Sequence, residues 1–390
     1  MLLISTLNFS LVNIFQTMGS MPHVRTGAER LARDPALAGG TRLGLVTNPT
    51  GVLPDLTPTA DALLAAGVKL TALFGPEHGM RGTAQAAGSE GDAVDERTGL
   101  PVHDTYELSG EELDRVVASA GVDTLVFDIA DVGARFYTYV WTMYDLMESA
   151  ARLGLRFVVL DRPNPLGGTV VEGPPLDPAF ASFVGRFPLP IRHGRTAGEL
   201  AGLFGLGVDL TVVTMEGWRR DMTYAATGLP WVMPSVNMPT PDTALVYPGT
   251  GLVEGTNFSE GRGTTRPFEL IGAPYADARL APALNGLGLP GVRFREAWFT
   301  PTFHKHAGVP VRGVQLHVHD RDAFRPVLTG LSLLHVARTL YPDDLRWEGP
   351  DLFLHHLWGS DTLIRCLDAG ADPRELCPPP GRPEGPLLYR

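Results

Sequence analysis

"DTLVFDIAD" (residues 123–131) carries the unbroken apolar run Leu125–Phe127 after Thr124, then Asp128, Ile129, Ala130 and Asp131. A strand with one face in water alternates apolar and polar residues, and this one does not. Both of its faces are therefore covered, as in a parallel sheet sandwiched between helices. Working outward, "RLGLVTNP" (42–49), "KLTALFG" (69–75) and "RFVVLDRPNP" (156–165) read as strands of the same kind, and "DLTVVTMEGW" (209–218) adds another. Helix-like segments separate them: "TADALLAAG" (59–67), "GEELDRVVASAG" (110–121), "TMYDLMESAARLG" (142–154) and "TAGELAGLFG" (196–205). Apolar strands alternating with helices predict an α/β fold built on a parallel sheet with helices on both faces.

The chain has 390 residues, long for one hydrophobic core, so two domains are expected. Hydrophobic residues make up 44% and charged residues 19%, an ordinary globular balance. A net charge of −11 argues against a general nucleic-acid binder and against an anionic membrane surface. Cys366 and Cys377 are the two cysteines, too few for a disulfide scaffold or a Cys-based metal site. "MLLISTLNFSLVNIF" is apolar but lacks a basic start and is broken by Asn8 and Asn13, with Gln16 just beyond. Residues 1–21 are thus expected to be a leader or disordered tail, with no convincing export signal and no membrane span.

In parallel sheets, ligands bind beyond the carboxyl ends of the strands. The successive strands here run into "TNPTG", "GPEHG", "DIADVGARFYTY" and "DRPNP". If the strands lie side by side, one crevice is lined by Asn48, Glu77, His78, Asp128, Asp131, Arg135, Asp161, Arg162 and Asn164. For any one loop, a turn that caps the next helix explains the same residues. Four such loops on one edge point to a site.

Glu77 follows Phe74 and Pro76, where partial burial would suit a general acid, and His78 could orient it or meet a substrate hydroxyl. No His-x-x-x-His helix, glycine-rich dinucleotide loop or P-loop is present. His317 and His319 share a strand face and read as solvent-facing rather than metal-ligating, and the same reading applies to "HKH" at 304–306. No metal and no cofactor is implied.

A second concentration of chemistry is "VEGTNFSEGRGTTRPFELIGAP" (253–274), with Glu254, Asn257, Glu260, Arg262, Arg266 and Glu269 among glycines. It reads as a loop facing a ligand; the plainer alternative is an interdomain linker. Beyond residue 285 the pattern becomes α+β. "GVRFREAWFTPTF" and "VRGVQLHVHD" alternate as strands, "DAFRPVLTGLSLLHVARTLYP" and "SDTLIRCLDAG" are helices, and "CPPPGRPEGP" opens a Pro-rich tail without periodicity.

Together "GLVTNPTGV", "LFGPEHGMRG", "VFDIADVGARFYTYVWTM", "LDRPNP" and the 253–274 segment resemble the signature blocks of the NamZ (YbbC-like) family of exo-β-N-acetylmuramidases. The likeness runs from about Val24 to "GSDTLIRCLDAG". It implies a Rossmann-like domain over 22–255, a smaller α/β domain over 256–390, and an active-site cleft between them. The implied activity is release of N-acetylmuramic acid from the non-reducing ends of peptidoglycan fragments, with those saccharides as partners. Members are often exported, and the lack of a good signal here departs from that.

Glycoside hydrolysis commonly uses one carboxylic acid to protonate the leaving oxygen and a second group to activate water or attack the anomeric carbon. Glu77, in the "PEHG" block, is the expected acid. Asp131 is the first candidate for its partner, then Asp128, Glu254 and Glu260, while assistance by the substrate's own acetamido group would remove the need for one. The lactyl carboxylate of N-acetylmuramic acid suits an arginine, for which Arg135, Arg262 and Arg266 are candidates. Tyr137, Tyr139 and Trp141 either stack on sugar rings or belong to the core. Two other readings fit the same pattern: a sugar-binding module without hydrolysis, and a metal-dependent deacetylase or amidase.

Overall fold

The computed structural model describes residues 23–349 and 352–390, so the expected leader lies outside the described residues. Helix α1 (Gly27–Arg33) leads to β1 (Leu43–Thr47), α2 (Thr59–Ala65) and β2 (Leu70–Gly75). Next come β3 (Ala93–Val94), β4 (Pro101–Asp104), α3 (Gly110–Ser119), β5 (Thr124–Asp128), α4 (Tyr139–Leu153) and β6 (Arg156–Leu160). The short pair β7 (Glu172–Pro175) and β8 (Pro190–Arg192) precedes α5 (Ala197–Phe204) and β9 (Asp209–Val213).

The strands form one sheet in the order β3-β4-β2-β1-β5-β6-β9, with every neighbouring pair parallel except β3 with β4. Taken in chain order, the parallel strands lie 3-2-1-4-5-6, the doubly wound Rossmann arrangement, and the order reverses between β1 and β5. β1 and β5 are buried along their whole length, as their unbroken apolar sequences require. Val46, Phe74, Phe127 and Val159 face one apolar cluster, and Leu45, Leu73, Val126 and Val158 face the other.

Local signals place the helices. Thr196 and Glu199 close a reciprocal capping box on α5. α4 begins at Tyr139, three residues before the apolar period announces it, because Trp141 Nε1 turns back to the carbonyl of Arg135 at 2.7 Å. The sequence reading missed β4, because "PVHD" is four residues long, opens on proline and is half polar.

The second part starts with α6 (Pro241–Thr250) and continues with β10 (Leu270–Ala273), α7 (Leu280–Gly286), β11 (Val292–Phe299) and β12 (Val311–Val318). It ends with α8 (Pro326–Leu340), α9 (Leu354–Trp358) and α10 (Thr362–Asp368). β12 lies between β10 and β11, antiparallel to both. α6 and α8 cross backbone to backbone at Gly249 and Gly330. A Cβ on Gly249 would lie 1.8 Å from the Pro326 carbonyl oxygen, so no other residue fits there. The apolar cluster on one face of the large sheet runs on without a break through α4, α6 and α8. The Pro-rich C-terminal stretch is docked rather than loose: Tyr389 OH reaches Asp161 Oδ2 at 2.6 Å and Leu388 N reaches Glu199 Oε1 at 2.9 Å.

Candidate active site

β2 ends at Gly75, and the next two residues bring Glu77 to the carboxyl edge of the sheet. Glu77 is nearly buried; its Oε1 accepts from Ala87 N at 2.9 Å and its Oε2 from Thr138 Oγ1 at 2.6 Å. His78 takes the left-handed backbone conformation, with φ of 70°, that a β-carbon disfavours. It is pinned there by its amide on Gly88 O and its Nδ1 on Ala84 O, both at 2.8 Å. Because Ala84 O accepts from Nδ1, Nε2 of the neutral ring is left as an acceptor.

Glu77 and His78 open on a cavity of about 750 Å³ between the two parts of the chain. The large sheet side contributes Tyr137, Thr138, Phe183, Ser235 and Asn237, and the second part contributes Tyr247, Glu254, Arg262, Phe268 and Phe353. Phe183 and Phe353 stack across it with ring centres 6.1 Å apart and planes within 12°. Tyr137 stands edge-on to Tyr247 at 5.8 Å. Burial drives the phenols of both well above the ordinary tyrosine range, so both stay neutral.

Arg262 is the cation of this cavity. Its Nε and Nη2 both donate to Glu254 Oε1, the former at 3.0 Å, and Nε lies 3.3 Å from Glu260. Its guanidinium lies 5.1 Å from the Phe268 ring centre. Burial alone would lower its pKa; Glu254 and Glu260 more than offset that and hold the charge. Nη1 makes no hydrogen bond among the described residues. Glu260 is fully buried behind it. Burial would raise this carboxyl, but His304 at 3.1 Å, Lys305 at 3.0 Å and Arg262 hold it down at about 2.

Of the residues singled out in the sequence, Glu77, His78, Tyr137, Tyr139, Glu254 and Arg262 line this cavity. The others are absent from its wall, each for a visible reason. Asn48 closes its own turn by accepting from Thr50 N at 2.9 Å. Asp128 is held in a two-point ion pair by Arg162, at 2.6 and 2.9 Å. Asp131 accepts from Gly133 N and from His193 Nε2 at 3.1 Å, and faces a different, smaller pocket beside Thr50 and Trp231. His193 is itself fixed, because its Nδ1 accepts from Arg195 N.

Asp161 collects Thr196, Gly198 and Tyr389, and Asn164 bridges Arg195 O to Leu166 N. Asn257 ties the loop to Arg346 and Asp344. Arg266 pairs with Glu269 on the surface. Trp141 is a core residue; Tyr139, although it reaches the wall, is nearly buried and its hydroxyl is committed to Pro234 O. His317 and His319 are exposed, and no group of three or more metal-ligating side chains gathers among the described residues.

Arg135 is the largest departure. Its side chain is fully buried and donates to the carbonyls of Pro174, Leu189 and Leu357 at 2.8–3.0 Å. Among the described residues no carboxylate pairs with it, and burial lowers its pKa to about 9. It is a structural clip rather than a ligand reader. Conversely, sequence reasoning passed over Thr138, Ser235, Asn237 and Tyr247. Ser235 and Asn237 sit in "PSVNMPTP" and Tyr247 inside α6, without the dense charge that marked the other loops, and Thr138 is a neutral residue just ahead of α4.

Two family models match the chain in series: the N-terminal part of exo-β-N-acetylmuramidase NamZ over residues 43–242 and its C-terminal part over 245–378. The chain is 52% identical over 333 residues to peptidoglycan β-N-acetylmuramidase NamZ of Bacillus subtilis (strain 168), covering 84% of this chain and 80% of that protein. Crystal structures of two DUF1343 family proteins from Bacteroides fragilis share the fold. One is 35% identical with a TM-score of 0.83, covering 92% of this chain and 95% of that one. The other is 29% identical with a TM-score of 0.71, covering 90% and 93%. With both halves matched in order and more than half of the aligned residues shared with the Bacillus enzyme, the chain belongs to the NamZ exo-β-N-acetylmuramidase family.

Proposed function

We propose that this cleft removes N-acetylmuramic acid from the non-reducing end of peptidoglycan fragments, with Glu77 giving its proton to the departing oxygen. The glycosidase class and the peptidoglycan substrate follow from the family. The assignment to Glu77 is carried by one observation: this carboxyl lies on the partition between two adjoining cavities. A glycosidic oxygen joins two sugars, so the group that protonates it must stand where their sites meet.

Glu254 shares the larger cavity with Glu77 and is the best-placed second carboxylate. One of its oxygens is taken by Arg262, leaving Oε2 to orient water or the developing positive charge at the anomeric carbon. Asp131, Asp128 and Glu260 are each paired elsewhere. Arg262 is the arginine with a donor to spare inside the cavity, which suits the lactyl carboxylate. Asn237, whose buried Nδ2 has no partner, is a donor for the acetamido oxygen.

The test is Glu77→Gln, which keeps the shape and removes the proton. Turnover of a MurNAc-GlcNAc disaccharide should fall at least about a hundred-fold, in line with general-acid contributions. A folded variant with near-normal turnover excludes Glu77 as the acid.

A further inference from the structure

Beside the larger cavity lies a second, of about 420 Å³, between the β4–α3 loop and the first turns of α4. The two share Glu77, Thr138 and Phe183 in their walls. Its other polar side chains include Tyr106, Thr142, Asp145 and Arg186. Arg186 Nη2 meets Asp145 Oδ2 at 2.9 Å, and Arg186 Nε is buried without a hydrogen-bond partner. Phe183 is 42% exposed, a large apolar ring left open at the partition.

We infer that this groove holds the leaving sugar, an N-acetylglucosamine-type residue, with Arg186, Asp145 and the Tyr106 hydroxyl bonding its hydroxyls and Phe183 beneath its ring. A guanidinium beside a carboxylate presents donor and acceptor side by side, the complement of neighbouring ring hydroxyls that each donate and accept. An aromatic face covers the apolar C–H face of a pyranose. Leu108, Leu113, Trp141 and Leu146 add apolar wall beside the polar groups, the mixture of surfaces a pyranose presents. The inference rests on Glu77 as the proton donor, because it is Glu77 that marks where one sugar's site ends and the next begins.

The experiment compares kcat/KM for the MurNAc-GlcNAc disaccharide with that for p-nitrophenyl β-N-acetylmuramide, whose leaving group has no hydroxyls to bond. In Arg186→Ala the disaccharide-to-aryl ratio should fall about ten-fold, the worth of one or two hydrogen bonds to a charged group. Tyr106→Phe, which removes one hydroxyl and no charge, should lower the same ratio about three-fold and decides the matter if the first variant does not fold. A ratio that stays at its starting value, or equal losses on both substrates, overturns the inference. Free N-acetylglucosamine as an inhibitor of aryl muramide hydrolysis supplies a readout independent of the acid: Arg186→Ala should weaken it about ten-fold. If that happens while Glu77→Gln stays active, the identity of the acid fails and the leaving-sugar site stands.

Discussion

Thr138 Oγ1 lies 2.6 Å from Glu77 Oε2, so the residue just ahead of α4 holds the carboxyl that follows β2. Thr138 occupies the N-cap position, where a hydroxyl ordinarily accepts from an amide of the first turn, yet it makes no such capping bond. Its hydroxyl is committed to Glu77 instead. A hydroxyl can donate to the carboxylate or turn and accept from the carboxylic acid, so one contact serves both stages of a proton transfer.

Thr138→Val therefore separates the two roles. Thermal stability should change by less than about 1 kcal/mol, since no cap is lost. kcat on the disaccharide should drop roughly ten-fold with little change in KM, because the carboxyl loses its orientation. Unchanged kcat would show the contact to be idle.

Arg262→Ala should reduce discrimination between muramic and glucosamine glycosides. A charge-assisted bond to the lactyl group is worth about 1.5–3 kcal/mol, so kcat/KM for muramides should fall roughly ten- to a hundred-fold. The slow glucosaminide reaction never uses that bond and should lose far less. Equal losses on both would mean that Arg262 only steadies Glu254 and Glu260.

Arg135→Ala should do the opposite. It removes the guanidinium donor from three carbonyls, of which Leu189 O keeps the Leu176 amide, and stability should fall by at least about 2 kcal/mol. The muramide-to-glucosaminide preference of the protein that remains folded should not move. A shifted preference at normal stability would restore Arg135 to the ligand.

Asp161 sets a pH dependence. Its burial pushes the carboxyl up to about 6, against the hydrogen bonds of Tyr389, Gly198 and Thr196 that act to lower it. The folded chain thus binds this proton more tightly than the unfolded chain, whose aspartates titrate near 3.8. The stabilisation is complete below about pH 4 and is lost as the pH rises through 6. Unfolding followed from pH 4 to 7 should show the parent losing stability relative to Asp161→Asn, by up to about 3 kcal/mol. A constant difference across that range would contradict the burial argument.

The strand cores were legible because a sheet covered on both faces leaves little reason for polar residues inside it, and "TLVFD" is apolar at all three positions between its ends. The site was legible where chemistry and turn residues coincide, as at Glu77 and Arg262. It was illegible wherever polar groups at a strand end pair with one another. Asp128 with Arg162, Asp131 with His193, and Asp161 with Tyr389 look like ligands in one dimension and are buttresses in three. The partner of Asp161 lies 228 residues along the chain, beyond the reach of any local pattern. Tyr247 and Asn237 were missed for the converse reason: a neutral side chain in a helix or a plain turn carries no mark until the wall it belongs to is assembled.

The Arg135 clip also dictates an order of events. Its carbonyl acceptors come from Pro174, Leu189 and Leu357, and the last lies 222 residues downstream. During synthesis the sheet from β1 to β9 is complete while this guanidinium still lacks its third acceptor. Until α9 has been made and docked, the Arg135 Nη2 must keep a water in place of the Leu357 carbonyl. Releasing that water joins the two parts of the chain at a single guanidinium, and it comes after the sheet is built.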